Sequence, residues 1–203
     1  MAIKHHKGDL PAGLDLGSSI AVDTETLGLH PARDKLCLVQ LSSGDGNAHL
    51  VQIDRSTYVA PNLKALLEDR AVTKIFHYAR FDWAVLKHYL HCDTGPLYCT
   101  KIASKLTRTY TDRHGLKDLV KELLGIELNK QQQSSDWGAH FLSDQQKQYA
   151  ALDVVYLHEI RTRLDQMLER EGRTAIARAC FDFVPVRATL DLLGWTEEDV
   201  FAH

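Results

Sequence analysis

The chain has 203 residues, enough for one domain with a full hydrophobic core and too few for two comfortable ones. Apolar residues at 44% and charged residues at 25% exclude a disordered or fibrous protein. A formal net charge of −3 gives no overall basic field, so any contact with nucleic acid has to come from a local patch or from bound metal.

In chain order, residues 1–17 read as an N-terminal segment. The basic start Met1-Ala2-Ile3-Lys4-His5-His6-Lys7 has no apolar region behind it, and no run of eighteen apolar residues occurs, so neither export nor membrane spanning is expected. Residues 18–22 form a short apolar strand that runs into Asp23. Residues 35–41 and 48–53 are two more strands, divided by Ser42-Ser43-Gly44-Asp45-Gly46-Asn47; with connections this short, the three are antiparallel. Pro61 opens a helix through Glu68, residues 73–76 are a fourth strand, and 81–90 carry helical apolar spacing.

After Gly95-Pro96 the pattern gives a fifth strand over 97–100, then helices over 101–106 and 116–124, the latter stopped by Gly125. Ser143-Asp144-Gln145-Gln146 is a capping box, and with no Pro or Gly before Gly172 it predicts one long helix to about Glu171. A last helix over 174–193 is expected to break or kink near Pro185. The class is α/β in a mixed α+β arrangement, a five-stranded mixed sheet flanked by helices. One domain covers 1–203, with a core at 18–170 and a helical extension at 171–203. Cys37, Cys92, Cys99 and Cys180 form no C-x-x-C pair and no cluster with His, so reduced thiols of a cytoplasmic protein account for them.

Three short patterns carry chemistry. Strand side chains alternate, so Asp23 and Glu25 project from one face with Thr24 opposite; two carboxylates on one spot repel unless a cation fills it, and hard oxygen ligands suit Mg²⁺ or Mn²⁺. Asp82 follows a strand and falls in the first turn of a helix, where the same carboxylate would serve as a simple cap. Tyr149 and Asp153 lie one turn apart on one helix face, where the bland reading of Tyr149 is a half-buried aromatic. An Asp-x-Glu is expected about once by chance in a chain of this length, and the other two spacings recur, as at His49 to Asp54 and Tyr78 to Asp82, so none is specific alone.

Taken together, their order and context resemble the three exonuclease motifs of the DEDDy branch of the DnaQ-like superfamily. The match extends through Asp23-Thr24-Glu25-Thr26-Leu27-Gly28-Leu29, His77 to Asp82, and Leu128-Asn129-Lys130-Gln131-Gln132-Gln133-Ser134-Ser135-Asp136-Trp137, which looks like the segment before the third motif in ribonuclease D. The resemblance covers about 18–170 and implies a ribonuclease H-like exonuclease fold. The chain stops where ribonuclease D would begin its helical HRDC-type domains; among short members it is similar to the nanoRNase C group. That similarity implies hydrolysis of very short single-stranded RNA, down to dinucleotides, by a cytoplasmic homo-oligomeric ring of even subunit number, an octamer being one such ring. The rival reading is a general DNA or RNA 3′→5′ exonuclease acting on longer substrates.

Carried over by position, the resemblance implies two Mg²⁺ or Mn²⁺ ions per site. Asp23 would bridge them, Glu25 and Asp153 would complete the first site, and Asp82 would hold the second directly or through water. Tyr149, with an ordinary pKa near 10, would orient the attacking water rather than deprotonate it. Leu29 stands where the short-RNA enzymes insert a leucine wedge between bases, the alternative being a loop leucine folded into the core. Thr26, His77, Arg113, His114 and Lys130 complete the substrate-contact candidates. The apolar run from Thr174 to Trp195 either docks on its own domain or makes a subunit contact.

Overall fold

The computed structural model describes residues 1–128 and 135–203. Six strands form one mixed sheet in the order β1-β4-β3-β2-β5-β6. They are β1 (Ile3–Lys7), β2 (Ser19–Thr26), β3 (Leu36–Ser42), β4 (Ala48–Gln52), β5 (Thr73–Phe76) and β6 (Leu97–Cys99). As the short connections require, β2, β3 and β4 pair antiparallel, whereas β5 and β6 arrive through helical crossovers and pair parallel. Every residue of β3 is buried, which is why Leu36-Cys37-Leu38-Val39 reads as a continuous apolar run.

The sixth strand is a departure from the five expected. β1 pairs parallel with β4 at the sheet edge, so residues 1–17 begin inside the fold. Its sequence, Ile3-Lys4-His5-His6-Lys7, has no apolar alternation because an edge strand buries little.

The helices are α1 (Pro61–Glu68), α2 (Ala79–Leu90), α3 (Thr100–Thr107), α4 (Leu116–Leu119), α5 (Asp144–Val155), α6 (Leu157–Arg170) and α7 (Thr174–Leu192). A wider helical turn, Val120–Leu124, continues α4 and ends at Gly125, whose φ of 72° is the left-handed value that glycine adopts without strain. The capping box at the start of α5 is complete: Ser143 Oγ accepts from the Gln146 N–H at 3.1 Å, and Gln146 Oε1 accepts from the Ser143 N–H at 2.9 Å.

The single long helix expected from 143 to 171 is two helices that part at Tyr156. α5 packs across β1 to β4, while α6 packs on α3 and β5, and the bend at Tyr156 lets one stretch of chain serve both surfaces. α7 runs unbroken through Pro185, so the expected break is absent. Its Ala177, Phe181, Val184 and Ala188 are buried against the domain, with the Phe181 ring 4.6 Å from that of Tyr98. Arg80 of α2 holds Asp191 of α7 through two hydrogen bonds of 2.5 and 2.6 Å. The other side of α7 keeps Ile176, Phe183 and Val186 exposed.

Candidate active site

β2 presents Asp23 and Glu25 on one face of the sheet. Its register against β3 shifts between Glu25 and Thr26, a bulge that re-aims the strand end. α5 crosses the same face and brings Tyr149 and Asp153, one turn apart, over the strand. One carboxylate oxygen from each of Asp23, Glu25 and Asp153 lies within 4.8 Å of the other two. Gln40, buried on β3 directly opposite Asp23, donates to Asp23 Oδ2 at 3.2 Å.

Burial pushes Asp23 well above the usual carboxylate range, and repulsion from Asp82, Asp153 and Glu25 pushes it further. Glu25 is raised in the same way, by burial and then by Asp153 and Asp82. Charges of one sign this close in a shielded cleft need either protons or a cation. The donor set is all hard oxygen, so these residues fit a divalent ion of the Mg²⁺ or Mn²⁺ kind.

Asp82 is arranged differently. It is buried in the first turn of α2 and does not line the cleft; Thr24, on the face opposite Asp23, donates to Asp82 Oδ1 at 2.7 Å. Burial pushes Asp82 up to about 7 against the lowering effect of the Thr24 bond, with Asp153 adding to the rise.

The carboxylates open into a cleft of about 710 Å³ lined also by Thr26, Leu29 and His77. Leu29 is 90% exposed, so the alternative of a leucine folded into the core does not hold. His77 Nδ1 lies 2.9 Å from Thr100 Oγ1, and the Thr26 hydroxyl donates to the Gly28 carbonyl. Arg113 and His114 do not line the cleft. The His114 ring bonds Ser104 Oγ at 2.9 Å, and the Arg113 carbonyl accepts from Nη1 of the buried Arg108 at 2.7 Å, so both residues belong to a loop pinned on α3. Lys130 lies outside the described residues.

Sequence reasoning missed Lys101, Lys117 and Tyr78, all of which line the cleft. Lys101 sits in the first turn of α3 directly after β6, the same strand-to-helix junction that singled out Asp82, and that signal could have found it. Its ammonium stands 4.2 Å from the centre of the Tyr78 ring. Tyr78 has φ 74° and ψ 46°, a left-handed conformation that costs a residue with a Cβ about 1–2 kcal/mol. Trp137 is buried and packs on Tyr149, ring centres 6.0 Å apart, so it packs the site rather than standing free for a base.

Comparison with known proteins agrees with this fold. Residues 9–169 match the model of the 3′-5′ exonuclease family. The chain is 34% identical over 154 residues to ribonuclease D of Gluconacetobacter diazotrophicus, which covers 76% of this chain but only 39% of that protein. The solved structure of Brucella melitensis NrnC with bound Mg²⁺ superimposes with a TM-score of 0.96 at 55% identity, covering all of both chains. The same Brucella protein bound to pGG superimposes with a TM-score of 0.96 at 56% identity, covering 100% of this chain and 99% of that one. Among the described residues, no helix is long and apolar enough to cross a membrane. The chain therefore belongs to the 3′→5′ exonuclease family and is of the ribonuclease D type.

Proposed function

We propose that the chain is a single exonuclease domain that hydrolyses very short RNA, down to dinucleotides, from the 3′ end to nucleoside 5′-monophosphates. The observation that carries the reading is the meeting of Asp23, Glu25 and Asp153 within 4.8 Å at the base of a cleft that also holds Tyr149. In this reading Asp23, Glu25 and Asp153 hold two Mg²⁺ or Mn²⁺ ions, with Asp82 acting through water from behind Thr24. The ions supply charge neutralisation and activation of water for an in-line displacement. Tyr149 orients the attacking water through its hydroxyl.

A cleft of about 710 Å³ has room for a ligand of a few nucleotides. Leu29, exposed at its rim, is free to wedge between two bases. Thr26 and His77 line the same cleft and are proposed substrate contacts. The full-length likeness to a Brucella protein solved with pGG supports the same substrate size. The ribonuclease D relatives are more than twice as long as the matched region, so their substrates transfer less directly. The pairing of β1 with β4 and the docking of α7 on α2 support treating residues 1–17 and 171–203 as parts of one domain. Four free thiols, three of them buried, support a reducing, cytoplasmic setting.

A length series of 5′-labelled RNA from two to about ten nucleotides, with Mg²⁺ or Mn²⁺ and with matched DNA, tests the substrate. Dinucleotide RNA is expected to turn over at least about tenfold faster than the longest member, a difference of about 1.4 kcal/mol in barrier. Faster cleavage of the longer strands would instead favour the general exonuclease.

The proposal includes a closed homo-oligomer, which would restrict access to short single strands. The exposed Ile176, Phe183 and Val186 on α7 are the candidate contact. Phe181 is unsuited as a probe of that contact, because it is buried against Tyr98 and a polar residue there would damage the fold. Light scattering is expected to give a multiple of 22.9 kDa for the wild type and a smaller mass for Phe183→Ser with Val186→Ser. A wild-type mass of one chain would refute the oligomer, and normal assembly of the double variant would move the contact elsewhere.

A further inference from the structure

The segment that follows residue 134 and leads into α5 is held by side chains that come from three separate places. Arg55, in the loop after β4, donates from Nη2 to the Gly138 carbonyl at 2.6 Å. Gln52, the last residue of β4, donates from Nε2 to the Ala139 carbonyl at 3.0 Å. Gln146, in the first turn of α5, donates from Nε2 to the Asp136 carbonyl at 3.1 Å. The turn also closes on itself, with the Gly138 N–H donating to Asp136 Oδ1 at 2.9 Å.

What this frame carries is Trp137. The indole is buried, and its Nε1–H has no hydrogen-bond partner among the described residues. No polar bond of its own fixes the ring, so its position is set by the backbone on either side and by packing. One neighbour in that packing is Tyr149, at 6.0 Å between ring centres. Trp137 also forms the partition between the catalytic cleft and a second cleft lined by Lys7, Arg55 and His140. Gly138 is tightly enclosed: a Cβ there would come within 2.9 Å of Leu27 Cδ2 and 3.0 Å of Arg55 Nη1.

We infer that Arg55 is a positioning residue for hydrolysis: with Gln52 and Gln146 it clamps the turn around Gly138, and through that turn it sets Trp137 against Tyr149. Arg55 does not line the catalytic cleft, and its hydrogen bond to the Gly138 carbonyl is the route by which the inference carries its effect to the reaction. The catalytic half of the inference rests on the role given above to Tyr149. Misplacement of a reacting group by a fraction of an ångström costs rate rather than affinity.

The test uses the full chain labelled with 5-fluorotryptophan, which gives three ¹⁹F resonances, with that of Trp137 assigned by its loss in Trp137→Phe. In Arg55→Ala the Trp137 resonance is expected to shift or broaden while those of Trp83 and Trp195 stay in place. Turnover of a dinucleotide should fall about tenfold, with KM changed less than about twofold. Arg55→Lys, which keeps a donor for the Gly138 carbonyl, should restore most of the rate. Arg55→Ala should cost nothing further in a Tyr149→Phe background. Gly138→Ala, which crowds Arg55 and Leu27, should move the same resonance without removing the guanidinium.

An unchanged Trp137 resonance in both Arg55→Ala and Gly138→Ala would overturn the clamp. Independent, multiplying losses from Arg55→Ala and Tyr149→Phe would overturn the path through Tyr149. If Tyr149→Phe alone keeps the wild-type rate, the role of Tyr149 falls, and the clamp is then judged by the resonance.

Discussion

Asp23→Ala is expected to lower hydrolysis by about 10³-fold or more, because a lost ligand removes several kcal/mol of charge stabilisation in the transition state. The same substitution should leave the metal-free protein as stable as the wild type or more so. Asp23 sits where burial and three neighbouring carboxylates all disfavour its charge, so the folded protein is strained by ionising it. The direction with pH follows from the raised folded-state values. A group whose pKa is higher folded than unfolded contributes stability that is fully present below the unfolded value and is lost as pH rises through the folded one.

For Asp82 that window runs from its ordinary 3.8 to about 7, and Asp23 and Glu25 shift in the same direction. Thermal melts in EDTA should therefore show the wild type losing stability as pH rises from about 4 towards 7. Added Mg²⁺ should restore it, and the loss should be shallower in Asp23→Ala. Retained wild-type turnover in Asp23→Ala would remove the proposed site. Stability of the metal-free wild type that does not change with pH would contradict the electrostatic account.

The parts of this site that were legible in the sequence depend on local periodicity. Alternation along β2 is enough to put Asp23 and Glu25 together, and the 3.6-residue turn is enough to align Tyr149 with Asp153. The Ser143 to Gln146 box marks the start of α5 because both of its hydrogen bonds lie within four residues. What could not be read depends on contacts distant in sequence. Gln40 matters because it is the cross-strand partner of Asp23, seventeen residues away. Arg113 and His114 look like free cations until buried Arg108, with its bonds to Ser104 and Glu122, is seen to fasten their loop to α3. The bend at Tyr156 has no Pro or Gly to announce it, since it follows from two packing surfaces rather than from propensity. β1 escaped notice because an edge strand needs no apolar pattern.

Tyr149→Phe is expected to lower kcat by about 10- to 100-fold while changing KM less than about twofold. Two roles are open to a phenol beside a reacting water, and its electrostatic surroundings separate them. Burial pushes the Tyr149 hydroxyl far above its ordinary value, and the charges of Asp153, Glu25 and Asp23 push it in the same direction. Even the ordinary phenol value near 10 leaves it largely protonated at neutral pH, a poor state for a general base. The proposed role is hydrogen bonding to the attacking water, an interaction made with the nucleophile and not with the bound phosphate. Its loss should then appear in turnover rather than in affinity. Because a phenol of ordinary pKa near 10 stays largely protonated there, the pH–rate profile of Tyr149→Phe between about 6 and 9 should keep the wild-type shape and only drop in height. Steady-state kinetics on a dinucleotide across that range decide the matter. A change confined to KM would make Tyr149 a substrate contact, and a lost limb in the profile would mean that the phenol itself exchanges a proton in the reaction.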